Sequence, residues 1–145
     1  MILHLEVEMR LTKTSEYAIR VLVYLANHKD ERLSATHIHR KLNIPYKYLG
    51  KMMSTLAAVG LVKSMRGKTG GYQICCELDK VTLAQIIDQV EGLESYDRCL
   101  LGFEKCGDEK PCPLHKLWGP QRDAIKAMIF STTLQDLVDQ EGISF

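Results

Sequence analysis

The sequence predicts a mainly α-helical fold with a small β-hairpin, of the winged helix-turn-helix type. Three observations support this fold class. Apolar residues recur at helical spacing through the first third of the chain. A glycine-rich turn then separates two short apolar runs, which is the pattern of a hairpin. Helical periodicity returns near the C-terminus, after an irregular loop that contains three cysteines.

Three helices are predicted before the hairpin. The first spans Ser15 to His28, where apolar residues recur every three or four positions. The second spans Ala35 to Leu42 and follows Ser34, a residue type that favours the N-cap position. The third begins near Pro45, which suits a first helical turn, and ends just before Gly60, a typical C-terminal glycine.

The hairpin follows, with strands predicted at Leu61–Met65 and Tyr72–Cys76. Thr82 and Gln85 then form a capping-box pattern, which opens a helix of about two turns. After an irregular stretch, Pro120 should start or kink a further helix. The apolar stripe of that helix consists of Ala124, Ile125, Met128 and Ile129. The last helix opens near residues 132–133.

The composition is that of an ordinary soluble globular chain. Of its 145 residues, 46% are hydrophobic and 26% are charged. No apolar run approaches the roughly 20 residues that a membrane-spanning helix needs. The N-terminal stretch is short and carries acidic residues, unlike a signal peptide. We therefore expect a cytoplasmic protein without membrane contact, in a compartment where structural disulfides are rare.

The charge is distributed unevenly along the chain. Residues 1–73 contain 12 Lys and Arg against 5 Asp and Glu, whereas residues 74–145 contain 7 against 13. A basic half favours contact with a polyanion such as DNA. Chance clustering on a solvated surface is the alternative explanation of the same counts.

The third predicted helix has the pattern that a DNA-reading helix requires. Its apolar stripe leaves polar and basic residues on the other faces. Lys47 and Lys51 lie four positions apart and therefore share one face. Tyr46 and Tyr48 are placed to contact phosphate or to stack beside a sugar.

The turn of the hairpin forms the predicted wing. It contains two cations, Arg66 and Lys68, followed by Thr69, and three glycines that let the backbone approach DNA closely. Arg66 is the best candidate for insertion into a narrow minor groove, where the negative potential is strongest. A plain basic turn is the alternative, but its position after a helix pair favours DNA binding.

Several longer motifs support this interpretation. Near the N-terminus the chain reads Met9-Arg-Leu-Thr-Lys-Thr-Ser-Glu-Tyr-Ala-Ile-Arg20. Farther along, Thr82-Leu83-Ala84 and Thr132-Thr-Leu-Gln-Asp-Leu137 flank the cysteine loop. In this order, and with the third helix and the wing, the motifs resemble the Rrf-two family of bacterial winged-helix regulators. The resemblance covers essentially residues 9–138. It implies an N-terminal extension (1–8), a winged helix-turn-helix DNA-binding domain (9–80), and a cysteine loop with dimerisation helices (81–145).

The resemblance implies a DNA-binding transcriptional regulator, expected to be a repressor. It also implies a homodimer in which the long helix after the cysteine loop pairs with its symmetry mate. Two recognition helices would then lie about one DNA turn apart on a near-palindromic operator in double-stranded DNA. An enzyme is not expected, because the sequence has no recognisable nucleophile–base pair or phosphate-binding loop.

The cysteine loop carries the pattern Cys-x6-Cys-x5-Cys-x2-His, formed by Cys99, Cys106, Cys112 and His115. Three thiolates in a loop with glycines and prolines suit an iron–sulfur cluster, either 2Fe-2S or 4Fe-4S, and leave one ligand position to a weaker donor. Such a cluster is labile and suits a sensor of nitric oxide, iron or redox state. The alternatives for the loop are a zinc site, a thiol switch without metal, and a loop that binds no metal. In these cases the winged-helix protein would act through protein contacts or another ligand.

The fourth ligand is suggested by the resemblance. His115 follows Cys112 at the spacing of the histidine ligand in the family's regulator of iron–sulfur assembly. Glu16 of the partner subunit is the alternative, because Glu16 occupies the position of an acidic ligand in the family's nitric-oxide sensor. We rank His115 first, since iron mildly favours imidazole. The first cysteine interval is six residues rather than the five of several members, which leaves the subgroup open.

Two further cysteines, Cys75 and Cys76, lie outside this ligand set. Adjacent residues of a strand point to opposite faces. We therefore expect one buried and one partly exposed free thiol at the end of the hairpin.

Overall fold

The computed structural model describes residues 11–103 and 109–140. Its helices are α1 (Lys13–Asn27), α2 (Ala35–Leu42), α3 (Tyr46–Ala58), α4 (Leu83–Val90), α5 (His115–Ser131) and α6 (Leu134–Asp139). The strands β1 (Val62–Met65) and β2 (Gly71–Ile74) form an antiparallel hairpin between α3 and α4. The predicted fold class, mainly α with a hairpin wing, is confirmed. The predicted extension at residues 1–8 lies outside the described residues.

Helix α1 is the centre of the hydrophobic core. It begins two residues before the predicted Ser15 because the hydroxyl of Thr12 accepts a hydrogen bond from the Ser15 N–H. Its inward residues Ala18, Val21, Leu22 and Leu25 are completely buried. Because α1 contacts α2, α3, α4 and α6, it joins the N-terminal and C-terminal parts of the chain in one core.

The turn between α2 and α3 is closely packed. Ser34 caps α2 as predicted, and its hydroxyl accepts a hydrogen bond from the N–H of His37. Asn43 adopts a left-handed conformation with a φ of 54°, which ends α2 and redirects the chain. Ile44 is completely buried in this turn, and Pro45 precedes α3 as its N-cap. The angle between α2 and α3 is therefore fixed by core packing at the turn.

Helix α3 ends at the predicted glycine. Gly60 has a φ of 80°, a backbone conformation that glycine adopts without strain. The N–H of Gly60 donates to the carbonyl of Ala57, and that of Leu61 donates to the carbonyl of Leu56. These two bonds form a Schellman motif, which satisfies the last carbonyls of α3 and starts β1.

The wing is attached to the helix-turn-helix at its base. Leu33 and Tyr72 exchange two backbone hydrogen bonds of 2.9 and 2.8 Å, which form an isolated antiparallel bridge beside β2. At Gly71, whose φ is 147°, a Cβ atom would lie only 2.7 Å from the carbonyl oxygen of Leu33. Glycine is therefore required where the hairpin crosses the segment before α2.

The expectation for the two adjacent cysteines was wrong. Strand β2 ends at Ile74, two residues before the predicted end, and a short 3-10 turn follows at Leu78–Lys80. Cys75 is exposed and Cys76 is half-buried, so neither thiol is buried. The N–H of Cys75 still donates to the carbonyl of Leu61, so the two side chains do point to different sides, but Cys76 lies at the edge of the core and is only partly covered.

Pro120 was predicted to start or to kink the long C-terminal helix, and of these two roles the start is wrong. Helix α5 begins at His115, and Pro120 lies inside it. The first turn is stabilised by a hydrogen bond of 2.8 Å from the N–H of Trp118 to the carbonyl of Leu114. Pro120 removes one internal N–H donor, but the helix continues to Ser131.

The two capping boxes of the C-terminal segment lie side by side. Thr82 caps α4 with Gln85 as predicted, and Thr133 caps α6 in the same way. The N–H of Leu83 donates to the carbonyl of Thr132, and that of Leu134 donates to the carbonyl of Val81. These bonds hold α6 against the main core, where Leu134 is completely buried. Within the residues described, no helix is long and apolar enough to cross a membrane.

Candidate DNA-binding surface and cysteine site

Helix α3 buries one face and exposes a basic one. Its buried stripe consists of Leu49, Met52, Met53 and Leu56. Lys47 and Lys51 are exposed on the remaining surface, as the sequence predicted. The side chain of Lys47 is placed with its Nζ atom 5.1 Å from the ring centroid of Tyr48. The exposed side of α3 therefore presents two ammonium groups on a rigid support.

The two predicted tyrosines have different surroundings. Tyr46 is 51% exposed, its ring stacks on that of His39 at 4.2 Å, and its hydroxyl donates to the Thr36 hydroxyl at 3.0 Å. Tyr48 is half-buried and packs edge-to-face on Tyr17 at 5.0 Å. Tyr46 is thus held at the α2–α3 surface, whereas much of the Tyr48 ring serves to pack α3 against α1.

His39 and Thr36 support the recognition helix but were not singled out in the sequence. His39 is fixed by a hydrogen bond of 2.7 Å between its Nδ1 atom and the carbonyl oxygen of Ile44. Both residues lie on α2, so no periodicity of α3 could point to them. Their contacts with Tyr46 make the start of α3 depend on the surface of α2.

The wing residues lie at an exposed tip. Arg66, Lys68 and Thr69 are all exposed. The N–H of Gly70 donates to the carbonyl of Gly67 at 3.0 Å, which closes the turn between the two strands. The three predicted contact residues are therefore displayed on a compact turn that belongs to the same hairpin as β1 and β2.

The cysteine site contains two thiols in direct contact. The sulfur atoms of Cys99 and Cys112 lie 3.5 Å apart and share a hydrogen bond. Cys99 is only 5% exposed, whereas Cys112 is half-buried. Burial alone would raise the pKa of Cys99, but hydrogen bonds from the backbone of Leu101, from Cys112 and from the backbone of residues 102–103 together lower it. Cys99 therefore ionises more readily than an ordinary cysteine, and the thiolate is the form that binds metal.

The two remaining predicted ligands of this chain are Cys106 and His115. Cys106 lies outside the described residues. His115 begins α5 and donates its backbone N–H to the carbonyl of Cys112 at 2.9 Å. Its imidazole packs over Gly119, where a Cβ would lie 3.9 Å from the Nε2 atom. Among the described residues, no group of three His, Cys, Asp or Glu side chains could hold a metal ion.

The alternative ligand, Glu16, is already engaged on α1. Its carboxylate lies 3.2 Å from Lys13 Nζ and 3.5 Å from a guanidinium nitrogen of Arg20. Arg20 in turn donates to the carbonyl of Leu42 at the end of α2. Through Arg20, Glu16 therefore contributes to the contact between α1 and α2.

The cysteine loop is connected directly to α5. The indole N–H of Trp118 donates to the carbonyl of Arg98, the residue before Cys99. Lys126 forms an ion pair with Asp97 at 2.5 Å. A change in the loop can therefore reach α5 through two contacts of different chemistry, one to the backbone and one to a side chain.

The predicted apolar stripe of α5 divides into two parts. Ile129 belongs to the buried core and Ile125 is half-buried, whereas Ala124 is exposed. Met128 is 56% exposed and Leu117 is 73% exposed. Leu117 and Met128 lie three helical turns apart, so they share one face of α5. The structure thus leaves an apolar strip of α5 uncovered by the described part of this chain.

Comparisons with protein families, known sequences and solved structures all match this chain to transcriptional regulators. The model of the Rrf2 family, described as iron-dependent transcriptional regulator, matches residues 11–140. The chain is 35% identical to the HTH-type transcriptional regulator CymR of Bacillus subtilis (strain 168) over 143 residues, which cover 94% of this chain and 99% of that protein. It is 31% identical to the HTH-type transcriptional regulator IscR of Photorhabdus laumondii over 136 residues, which cover 93% of this chain and 82% of that protein. The solved structure of CymR (YrzC), described as the global cysteine regulator of B. subtilis, matches with a TM-score of 0.71 and 33% identity, over 90% of this chain and 96% of that one.

Proposed function

Because the chain belongs to the Rrf2 family of transcriptional regulators, we propose that it is a homodimeric repressor whose affinity for a near-palindromic operator is set by an iron–sulfur cluster. As a helix-turn-helix regulator of this family it is not an enzyme, in agreement with the sequence analysis. A protein with this function works in the cytoplasm, where bacterial DNA is found. The observation that carries the cluster assignment is the contact between the sulfur atoms of Cys99 and Cys112.

The DNA-binding surface combines α3 and the wing. Lys47 and Lys51 are exposed on the side of α3 opposite the core, and Arg66 and Lys68 are exposed at the tip of the hairpin. An α-helix fits the major groove, and a basic wing tip fits an adjacent phosphate or a narrow minor groove. We therefore assign Tyr46, Tyr48 and Thr69 to supporting contacts with the DNA backbone, and the four cations to its phosphates.

The dimer is proposed from α5. The exposed strip that contains Leu117 and Met128 is costly to leave in water, since burial of apolar surface is favourable by about 25 cal/mol per Å². A two-fold axis would bring the same strip of a second copy onto it. The two α3 helices would then be placed for successive half-sites of one operator.

The cysteine loop has donors that fit a cluster. Cys99 and Cys112 place two sulfur atoms together, and the lowered pKa of Cys99 favours the thiolate that iron requires. Cys106 would supply the third thiolate. His115 is preferred as the fourth ligand over Glu16 of the partner subunit, because Glu16 already balances Lys13 and Arg20 in its own chain. When bound, the cluster would supply an iron with one weakly held position that can react with nitric oxide, oxidants or chelators.

The signal would pass from the loop to α5. The Trp118–Arg98 hydrogen bond and the Lys126–Asp97 ion pair connect the loop to that helix. Because α5 packs on α4, and α4 contacts α1 and α3, a movement of α5 would change the position of the recognition helix. Such a change alters operator affinity only to the extent that DNA binds the two states differently.

A second candidate function is a zinc-bound or metal-free thiol regulator. The sulfur separation of 3.5 Å is close to the distance of about 3.8 Å between two thiolates that share one tetrahedral zinc at about 2.3 Å. A solved relative is described as a cysteine regulator, which is compatible with a signal read by thiols. This candidate keeps the DNA-binding surface and changes only the group that controls it.

Anaerobic purification of the full chain separates these candidates. We expect a coloured protein with iron and acid-labile sulfide, and a change in duplex affinity when the cluster is removed. A colourless protein with one zinc per chain would replace the cluster with the zinc candidate. His115→Ala and Glu16→Gln, compared by visible absorption, identify the fourth ligand, because only the true ligand changes the spectrum on substitution.

A further inference from the structure

A narrow cleft separates the first turn of α1 from the exposed side of α3. Its volume is about 150 Å³, well below the roughly 300–1,000 Å³ of pockets that hold drug-sized ligands. Thr14 lines it from α1, and Lys47, Lys51 and Thr55 line it from α3. Tyr48, Met52 and Val90 also line the cleft, so only part of its wall is polar. Its small volume suits a compact anion rather than an organic effector.

The charge of the cleft is positive. Lys47 and Lys51 are both exposed, and no acidic side chain is among the described residues that line it. Glu16, in the same turn of α1, is engaged with Lys13 and Arg20. A negatively charged group in the cleft would therefore meet two cations without an opposing carboxylate.

Thr14 supplies a hydrogen-bond donor on the opposite wall. Its hydroxyl has no side-chain partner in the part of the chain that the structure describes. The hydroxyl of Thr55, by contrast, is already donated to the carbonyl of Lys51 at 3.0 Å. Thr14 also lies in the first turn of α1, where the positive end of the helix dipole favours an anion.

We propose that this cleft binds one phosphate of the DNA backbone, with the Thr14 hydroxyl donating from α1 and Lys47 or Lys51 donating from α3. The proposal rests on the DNA-binding function proposed above, and it extends the contact surface to α1, a helix outside the recognition helix and the wing. Phosphate contacts position a protein on the duplex. A phosphate held between two helices fixes the angle at which α3 enters the major groove.

The first test uses the unchanged protein. A short duplex is selected from a random library on the wild-type chain, and single phosphates are then replaced by neutral methylphosphonates. Several positions should weaken binding, and replacement of the clamped phosphate in each half-site should weaken it roughly tenfold, since it removes hydrogen bonds to a charged group. At the clamped position alone, the effect should be smaller for Thr14→Val than for the wild type, because that variant has already lost the hydroxyl donor and keeps only the lysine contact.

The second test separates the donor from the cations by salt dependence. Thr14→Val keeps the β-branched shape and all charges, so it should lower affinity without changing the slope of log K against log salt. Lys51→Ala should reduce the magnitude of that slope by about 0.9. Thr14→Ser keeps the hydroxyl and should bind like the wild type. Thr55→Val is the control, because it removes a threonine hydroxyl from the same cleft that already donates to the carbonyl of Lys51.

The outcomes separate this inference from the function on which it rests. If the wild type binds the duplex, and Thr14→Val binds with the same affinity and the same response to each methylphosphonate, the phosphate clamp alone is overturned. Absence of any salt-dependent duplex binding by the wild-type chain overturns the proposed function, and the clamp with it. Circular dichroism of each variant confirms that the helices are intact, and the methylphosphonate series on the wild-type protein remains decisive if a variant does not fold.

Discussion

The indole N–H of Trp118 donates to the carbonyl oxygen of Arg98 across 3.2 Å, which connects the first turn of α5 to the residue before Cys99. Because Cys99 is nearly inaccessible, its thiol is shielded by the same local structure that this bond stabilises. We therefore expect the contact to restrain the opening of the loop beside Cys99. It also makes the loop and α5 parts of one cooperative unit, which a sensor requires if a change at sulfur is to reach a helix.

Trp118→Phe should loosen the loop without removing aromatic packing. Loss of one hydrogen bond costs about 1 kcal/mol, which corresponds to a roughly fivefold increase in the open population. Alkylation of Cys99 in the metal-free protein should accelerate by that factor, as measured by mass spectrometry of the labelled peptide. Cys75, which is already exposed, provides the internal control and should react at an unchanged rate. Equal Cys99 rates in both proteins would show that the bond does not protect the loop.

The thiols of the metal-free protein should ionise in a definite order. Hydrogen bonds hold the pKa of Cys99 below its ordinary value, whereas burial raises the pKa of Cys76. A lowered pKa means that the thiolate is present at lower pH, so the pH midpoint of Cys99 alkylation should lie below that of Cys76. Peptide-resolved labelling from pH 6 to pH 11 measures both midpoints in one sample, a window of about two units on either side of a normal thiol. The reverse order would contradict the hydrogen-bond network around Cys99.

Gly71→Ala should destabilise the wing. The substituted residue would keep a φ of 147° and bring a Cβ to 2.7 Å from the carbonyl of Leu33, so the backbone must shift. Gly67→Ala is the matched control, because its φ of 107° is also strained but no atom lies within 4 Å of the added Cβ. We expect Gly71→Ala to lose at least about 1 kcal/mol more in urea unfolding than Gly67→Ala. Equal losses would mean that the wing is not held tightly at its base.

Lys47→Ala and Lys51→Ala should each weaken duplex binding. Each loss of a phosphate contact should also reduce the magnitude of the salt slope by about 0.9. Lys80→Ala is the control, because Lys80 lies beyond the wing and pairs with Glu77. Gel-shift titrations at several salt concentrations measure both quantities. If all three variants bind like the wild type, α3 does not contribute its lysines to the interface.

A charged strip on α5 should prevent dimerisation. Leu117→Glu combined with Met128→Glu would place two carboxylates on the exposed apolar face, and their desolvation opposes association. Sedimentation should then show a monomer where the wild type is a dimer, and operator affinity should fall because two half-sites are no longer bound together. Lys116→Glu, an exposed neighbour on the same helix, should remain dimeric. A double variant that sediments as a dimer would place the interface elsewhere.

Structural features that are set by local chemistry follow from the sequence alone. Helix α2 was predicted with its observed bounds, because Ser34 caps one end and the residue after Leu42 ends the other locally. The start of α5 was missed because the helix was expected to resume around Pro120, which would start or kink it, whereas a whole turn precedes the proline. A proline is tolerated inside a helix at the cost of one internal bond. Local signals of this kind identify elements more reliably than they identify boundaries.

The candidate site was predictable in its residue types but not in its contacts. Exposure of Lys47 and Lys51 follows from the periodicity of α3. The approach of Cys99 and Cys112 to 3.5 Å depends on how the loop folds between α4 and α5, which no spacing rule specifies. The support of Tyr46 by His39 joins two helices, so it too could emerge only from tertiary structure.

Leu134 is completely buried in the core around α1, although the two elements lie far apart in the chain. During translation, α1 therefore leaves the ribosome long before the side chain that completes its packing. A polypeptide that terminated early would expose apolar core and attract chaperones or proteases. The helix-turn-helix therefore gains its full core only after the C-terminal segment that carries α6 has been synthesised.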